Sequence, residues 1–463
     1  MYKQTQKPPR GTIADGNADR DADRHADRDA HRDADRAADL SAQTGSHLAM
    51  QAASGRRRTA SEACDPEAAP APRKRAAADA PLCVHAAHSA APAHVVAALR
   101  AAYESRFGWP EQTAGRLFVA LPRDEQWKPP GGLWELRPCC ATPMAAECLR
   151  TLAEEEPHCH GAALAPRDPG WALIGKHHTA AYCALLRGDG GPAEVAHIFE
   201  LSPLSASRLA HCDLERDVLL PARRAVGASI LAAPLAIAYG GCVLIEGGQH
   251  HASSGMGAGA SLFADTIISY LELRAALTGP LGRAPRALYV DLDVHLSDGV
   301  CHDAHDLRLE DDFVILDAYN EDIWPVAGAD GDREAPGFVH IPIVLHNGVR
   351  DPEYMRRLAA ALAAADVRPR PDVLFYVAGM DVLAGDAVGG LRVTEAGIVA
   401  RDDAVLAWAG ARRIPVVFLA GGGYSKRACA AARTSVAAAM AKYATDRGAL
   451  AAGGACPRCR AAL

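Results

Sequence analysis

From about residue 94 onward, two spacings of apolar residues alternate along the chain. In "HVVAALRAAYESRF" and "LPARRAVGASILAAPLAIAYG" the apolar positions fall three and four apart, which is one face of a helix, so both stretches are predicted helices. Between such segments lie short runs: "GCVLIEG", "ALYVDLDV", "FVILDAY", "FVHIPIVL", "VLFYVAG" and "IPVVFLAGGG". They are apolar throughout rather than at every second position, and helical stretches such as "EYMRRLAAALAAA" separate them. Strands of that kind are buried on both faces, which predicts a mainly parallel sheet covered on each side by helices. The expected fold class is a three-layer α/β/α domain.

The first 90 residues follow neither spacing. "ADRDADRHADRDAHRDADRAADL" alternates Asp and Arg and has almost no large apolar residue, so it buries too little surface to offset chain entropy. Residues 1–90 are expected to be disordered, 91–445 to form the globular domain and 446–463 a flexible tail. Two basic clusters, Arg56–Arg57–Arg58 and Arg73–Lys74–Arg75, resemble a bipartite nuclear-import signal, and a solvated charged tail accounts for them equally well. The expected location is therefore the nucleus, the cytoplasm or both.

Composition narrows the function classes. A net charge of −7 argues against direct nucleic-acid binding, and no eighteen-residue apolar run free of charge appears, so no membrane span is predicted. Thirteen scattered cysteines and no secretory leader argue for a reducing compartment. The lone Cys456–Cys459 pair is a weak metal signal.

The candidate chemistry sits at the ends of the predicted strands. In "ALYVDLDVH", strand alternation puts Leu288, Val290, Leu292 and Val294 on one face and Tyr289, Asp291, Asp293 and His295 on the other. Burying two carboxylates and an imidazole unpaired costs several kcal/mol each, comparable with the stability of a whole domain, and a bound divalent cation removes that cost. "EGGQHHASSG" ends another run with adjacent His250 and His251. "VLFYVAGMDVLAGD" places Asp381 just past a third strand, with Asp386 following, and "AGGGY" brings Tyr424 after a fourth. Ligand sites in open α/β sheets form at this edge, so the pieces converge on a metal site with a histidine pair and a phenol.

These motifs, "EGGQHHASSG", "DLDVHLSDG", "AGMDVLAGDAVGGL" and "AGGGY", resemble those of the zinc-dependent histone deacetylases of the arginase–deacetylase fold. "AGMDVLAGDAVGGLRVTEAGIVARD" and "AYNEDIWP" are most similar to the class IV members, and the likeness runs over roughly residues 170–440. It implies a catalytic zinc ion on Asp293, His295 and Asp381, and it allows a structural monovalent cation such as potassium. His251 would be the general base and then the acid, oriented by Asp298. His250, oriented by Asp291, would be its electrostatic partner, and Tyr424 would donate to the developing oxyanion. The Gly259 carbonyl would receive the substrate N–H, and Trp324 would form part of the tunnel wall. The implied partners are acylated lysine side chains of histones or other proteins.

Three features depart from the family pattern. Ala260 stands where a tunnel-wall phenylalanine is usual, which leaves room for longer acyl chains. The N-terminal His-Pro motif is not recognisable, although His88 and His94 lie near its place. Residues 118–168 look like an insertion carrying Cys139, Cys140, Cys148, His158, Cys159 and His160, whose spacing fits neither a zinc ribbon nor a finger. The alternative functions are a small-molecule amidohydrolase for acetylated polyamines on the same fold, and a non-catalytic scaffold. The intact set of polar site residues counts against the scaffold.

Overall fold

A computed structural model describes residues 91–109, 119–121, 167–244, 247–325, 339–366, 368–425, 427–428, 431 and 434–435. The basic clusters, His88, the Cys/His cluster and the Cys456–Cys459 pair lie outside them.

Among the described residues, seven parallel strands make one sheet in the order β1-β2-β7-β6-β3-β4-β5. They are β1 (Val119–Leu121), β2 (Gly241–Leu244), β3 (Ala287–Asp291), β4 (Phe313–Asn320), β5 (Ile341–Leu345), β6 (Val373–Val377) and β7 (Val416–Leu419). The last six arise from the six apolar runs. β1 falls in the segment expected to be an insertion and pairs in parallel with β2.

Alternation along each strand separates two cores. Ala287 and Tyr289 of β3, with Val373, Phe375 and Val377 of β6, join one apolar cluster, whereas Leu288, Val290, Leu374 and Tyr376 join the other. The first core is covered by α1 (Ala93–Phe107), by α2 (Gly170–His177), α3 (Ala180–Arg187), α4 (Gly191–Ile198) and α5 (Pro203–Leu209), and by α6 (Leu220–Tyr239) and α7 (Asp265–Leu281). A nine-residue helix, α8 (Asp298–Asp306), also contributes to it. The second core is covered by α9 (Asp351–Ala365) and α10 (Glu395–Ala411). Each fully buried Leu, Val or Phe contributes on the order of 1.5–3 kcal/mol, so both helix layers are held by apolar packing.

The stretch Glu215–Tyr239, a π-helical turn running into α6, is by length and composition alone long and apolar enough to cross a membrane. Within this fold 83% of its apolar window is buried, which is the environment of a core helix.

β3 ends at Asp291, earlier than its sequence pattern implies, and Asp293 and His295 lie in the loop beyond. Carboxylates take over the amides that a longer strand would pair. Asp291 Oδ1 accepts from the Asp293 N–H, Asp381 Oδ1 from Val294 and Asp293 Oδ1 from His295, each at 3.0 Å. The alternation nevertheless persists, since Leu292 and Val294 stay in the core of Leu288 and Val290.

Candidate metal and acid–base centre

The two histidines sit in a turn opened by Gly247 and Gly248, both with positive φ. Asp265, at the start of α7, pins this turn by accepting from the N–H groups of Gly248 and Gln249 at 3.0 Å and from Ser229 Oγ at 2.6 Å. The Gln249 side-chain oxygen accepts from the Leu262 and Phe263 amides, tying the turn to the loop that carries Gly259.

The rings of His250 and His251 lie 4.1 Å apart between centroids. Each Nδ1 meets its own carboxylate: Asp291 Oδ2 at 2.9 Å for His250 and Asp298 Oδ1 at 2.6 Å for His251. That leaves Nε2 of each ring for chemistry. Asp291 Oδ2 also accepts from the buried Tyr289 hydroxyl at 2.5 Å, a contact with no separate signature in the sequence.

The environments of the two rings drive their proton affinities apart. Burial disfavours the charged form of His250, but the carboxylates of Asp291 and Asp293 outweigh it and raise the ring to about 10. Burial, reinforced by the charge on His250, lowers His251 to about 4 in spite of Asp298. The two carboxylates thus favour the charged form of His250, and burial favours the neutral form of His251, a ring able to accept a proton.

Asp293, His295 and Asp381 are buried and bring one ligand atom each to within 4.8 Å of one another. His295 Nδ1 lies 3.1 Å from Asp293 Oδ1 and 3.2 Å from Asp381 Oδ2. The donor set, two carboxylates and an imidazole, suits zinc and leaves a coordination position open. Two observations test the fit. Asp381 Oδ2 is fully buried and faces the His295 ring outside hydrogen-bond geometry, and burial together with the Asp293 charge pushes that carboxyl up to about 7. At Gly422, a Cβ would stand 2.4 Å from Asp293 Oδ2 and 2.5 Å from Asp381 Oδ2, so only glycine leaves the space between the two carboxylates clear. The Gly422 amide donates to Asp293 Oδ2 at 2.7 Å.

The remaining predicted residues border this centre. The Tyr424 ring lies edge-on to His295 at 6.4 Å and is 56% exposed, and its N–H donates to Asp386 Oδ2 at 2.8 Å. Trp324 packs 4.7 Å from His251. Gly259, with φ of 48°, is wedged between them: a Cβ there would fall 2.4 Å from His251 Cδ2 and 3.1 Å from the Trp324 ring. Ala260 is half buried, packs against the first core and donates its N–H to Ile198 O. Phe263, the bulkier ring nearby, is buried edge-on to His178 at 5.5 Å and to Trp171 at 6.2 Å. Met256 is exposed. His94 is exposed on α1 and is not part of the centre.

Residues 142–440 match the histone deacetylase domain. The chain belongs to the histone deacetylase family. Its parallel sheet, clad in helices on both faces, is the α/β arginase–deacetylase fold of these zinc-dependent enzymes. Among its relatives, histone deacetylase 2 of Arabidopsis thaliana is 35% identical over 240 residues, covering 50% of this chain and 57% of the relative. An uncharacterised Picosynechococcus protein is 33% identical over 204 residues, 44% of this chain and 62% of that protein. Histone deacetylase 8 of Danio rerio is 28% identical over 206 residues, 43% of this chain and 51% of the relative. The match to this deacetylase domain begins inside the 118–168 segment, at residue 142.

Proposed function

We propose that the chain hydrolyses Nε-acyl-lysine amides of histones or other proteins with one zinc ion held by Asp293, His295 and Asp381. The observation that carries this reading is the juxtaposition of that buried trio with a histidine pair whose Nδ1 atoms each meet a separate buried carboxylate. Zinc, when bound, supplies Lewis acidity that polarises the amide carbonyl and makes water a competent nucleophile near neutral pH. The rest is the work of the chain's own residues. His251 Nε2 takes a proton from the attacking water while Asp298 holds the ring in the required tautomer. The same atom then returns the proton to the departing lysine amine. His250, held by Asp291, favours the negative charge that develops beside it, and the Tyr424 hydroxyl donates to the oxyanion. Gly259 O receives the amide N–H, and Trp324 flanks the lysine stem.

The class IV likeness of "AGMDVLAGDAVGGLRVTEAGIVARD" supports placing the chain with that class. Ala260 supports a preference for longer acyl groups, because Phe263 is held in the core and does not refill the space of the missing ring. A monovalent cation belongs to the same proposal. β3 and β4 align Asp291 with Asp317, whose Oδ1 is buried without a hydrogen-bond partner. The basic clusters support nuclear as well as cytoplasmic residence.

The test is acyl release by the purified full-length chain from lysine peptides bearing acyl groups of increasing length, with acetylated polyamines in parallel. Hydroxamate-sensitive turnover of peptides supports the protein-lysine reading. Turnover of polyamines alone would replace it with small-molecule amide hydrolysis, and inertness toward both would leave only a scaffold.

A further inference from the structure

Arg401, on α10, is the largest fully buried side chain among the described residues. Its Nε donates to Asp402 Oδ1 at 2.7 Å. Nη1 donates to the carbonyls of Leu292 at 3.1 Å and Gly379 at 2.5 Å, and Nη2 to that of Ala378 at 3.2 Å. Asp402 is held in turn by the hydroxyls of Tyr376 and Ser435. The three carbonyls belong to two segments. Leu292 lies between Asp291 and Asp293 in the loop that follows β3, while Ala378 and Gly379 lead from β6 into Asp381. Together those segments carry all three members of the metal trio.

A fully buried ion pair is a poor device for stability alone, since well-packed apolar residues of the same volume usually serve as well or better. A guanidinium does something that apolar packing does not. Its rigid planar fork fixes several acceptors from separate segments at defined distances from one another. A metal centre needs that, because ligand distances near ~2.0–2.2 Å tolerate little relative movement of the segments that supply them.

We propose that Arg401, oriented by Asp402, is a positioning residue that sets the spacing between the Asp293–His295 loop and Asp381. The inference rests on the metal-centre reading of that trio. Arg401 touches neither substrate nor ligand side chains in this role; it acts through the backbone of both loops.

The experiment compares the wild-type chain with Arg401→Lys and with the double variant Arg401→Met/Asp402→Leu, which replaces the ion pair by apolar volume. Zinc affinity is read by competition with a chromogenic chelator, site geometry by the visible spectrum of the cobalt-loaded protein, and stability by the melting temperature of the metal-free protein. Both variants are expected to bind zinc about 10–100-fold more weakly, the usual effect of losing an outer support of a metal site. Their cobalt bands are expected to change in intensity, and both variants should melt below wild type without metal, because buried carbonyls lose their donor. If Arg401→Lys does not fold, the double variant carries the comparison by itself. Wild-type zinc affinity and an unchanged cobalt spectrum, with any loss confined to the melting temperature, would reduce Arg401 to a packing element and overturn the clamp. A wild-type chain that takes up neither ion overturns the metal-centre reading, and the clamp with it.

Discussion

Two regions of this protein bury carboxylates, and they treat them in opposite ways. On α7, Glu272 is surrounded by Arg106 Nη2 at 2.9 Å, Lys176 Nζ at 2.7 Å and His177 Nε2 at 3.1 Å. Hydrogen bonds from His177, Lys176 and Arg106 overcome burial and hold its carboxyl down at about 2. At the C-terminal edge of the sheet, Asp291, Asp293, Asp317 and Asp381 are all buried, and no Lys or Arg side chain among the described residues bonds to their carboxylates. Arg401 comes near but directs its fork at carbonyls and Asp402. The helical hub is met by lysine and arginine, whereas among the described residues the cationic side chains facing the sheet-edge carboxylates are histidines. The edge carboxylates thus meet imidazoles that can also serve a metal or move a proton.

The largest effect should come from removing positive-charge capacity at the sheet edge. Asp293→Ala or His295→Ala is expected to abolish zinc uptake and amide hydrolysis, as read by metal analysis and peptide turnover. Glu272→Gln is the counterpart. It removes charge-assisted hydrogen bonds and should lower stability by roughly 1.5–3 kcal/mol in denaturant titration, with zinc content and turnover per folded molecule unchanged. Loss of metal from Glu272→Gln, or its retention by both edge variants, would erase the contrast.

Tyr424→Phe should come next. It removes one donor from the developing oxyanion, so turnover should fall by about 10²–10³ while zinc content stays at the wild-type level. A drop confined to KM would move Tyr424 from catalysis to binding.

Ala260→Phe sharpens the account of the pocket. Each buried methylene is worth about 0.8 kcal/mol, so closing space for a few of them should depress long-chain turnover by more than tenfold and spare or improve deacetylation. Equal effects on acetyl and long-chain peptides would take Ala260 out of the tunnel wall.

Acid should distinguish the regions more gently. Glu272 has a folded-state value of about 2, below its ordinary 4.5, so its contribution is complete above 4.5 and is lost as pH falls toward 2. His178 is lowered to about 4, first by burial, and its Nε2 accepts from the Ala264 N–H. Because the unfolded ring binds a proton more readily, stability falls between pH 6.5 and 4. Melting curves of the wild type should therefore decline in that window before the Glu272 hub fails. Glu272→Gln should flatten only the part below pH 4.5, and a flattening near pH 6 would contradict the assignment.

How legible each feature was depended on whether its cause was local. Strands buried on both faces produce unbroken apolar runs, so six of the strands and both core faces could be read from residues such as Leu288, Tyr289 and Val290. β1 could not, because three residues at a sheet edge carry no pattern of their own. The trio and the histidine pair stand out in the sequence as polar groups following apolar strand runs, whereas the pairing of Asp291 and Asp298 with the histidines follows only from the family resemblance. Arg401 left a fainter signal, a charged residue at helical spacing with Ile398, Val405 and Ala409, where a solvent-facing arginine would break the apolar stripe. The Glu272 hub left none, since Arg106 and Lys176 come from helices 166 and 96 residues away in the chain.

The most direct test of the central claim is the zinc content of the purified full-length chain, measured by native mass spectrometry beside Asp381→Ala and Glu272→Gln. The buried trio of Asp293, His295 and Asp381 predicts about one zinc ion per chain in the wild type and in Glu272→Gln, and none in Asp381→Ala. A zinc-free wild type that is as stable as zinc-supplemented protein, or an Asp381→Ala variant that keeps its zinc, would contradict it.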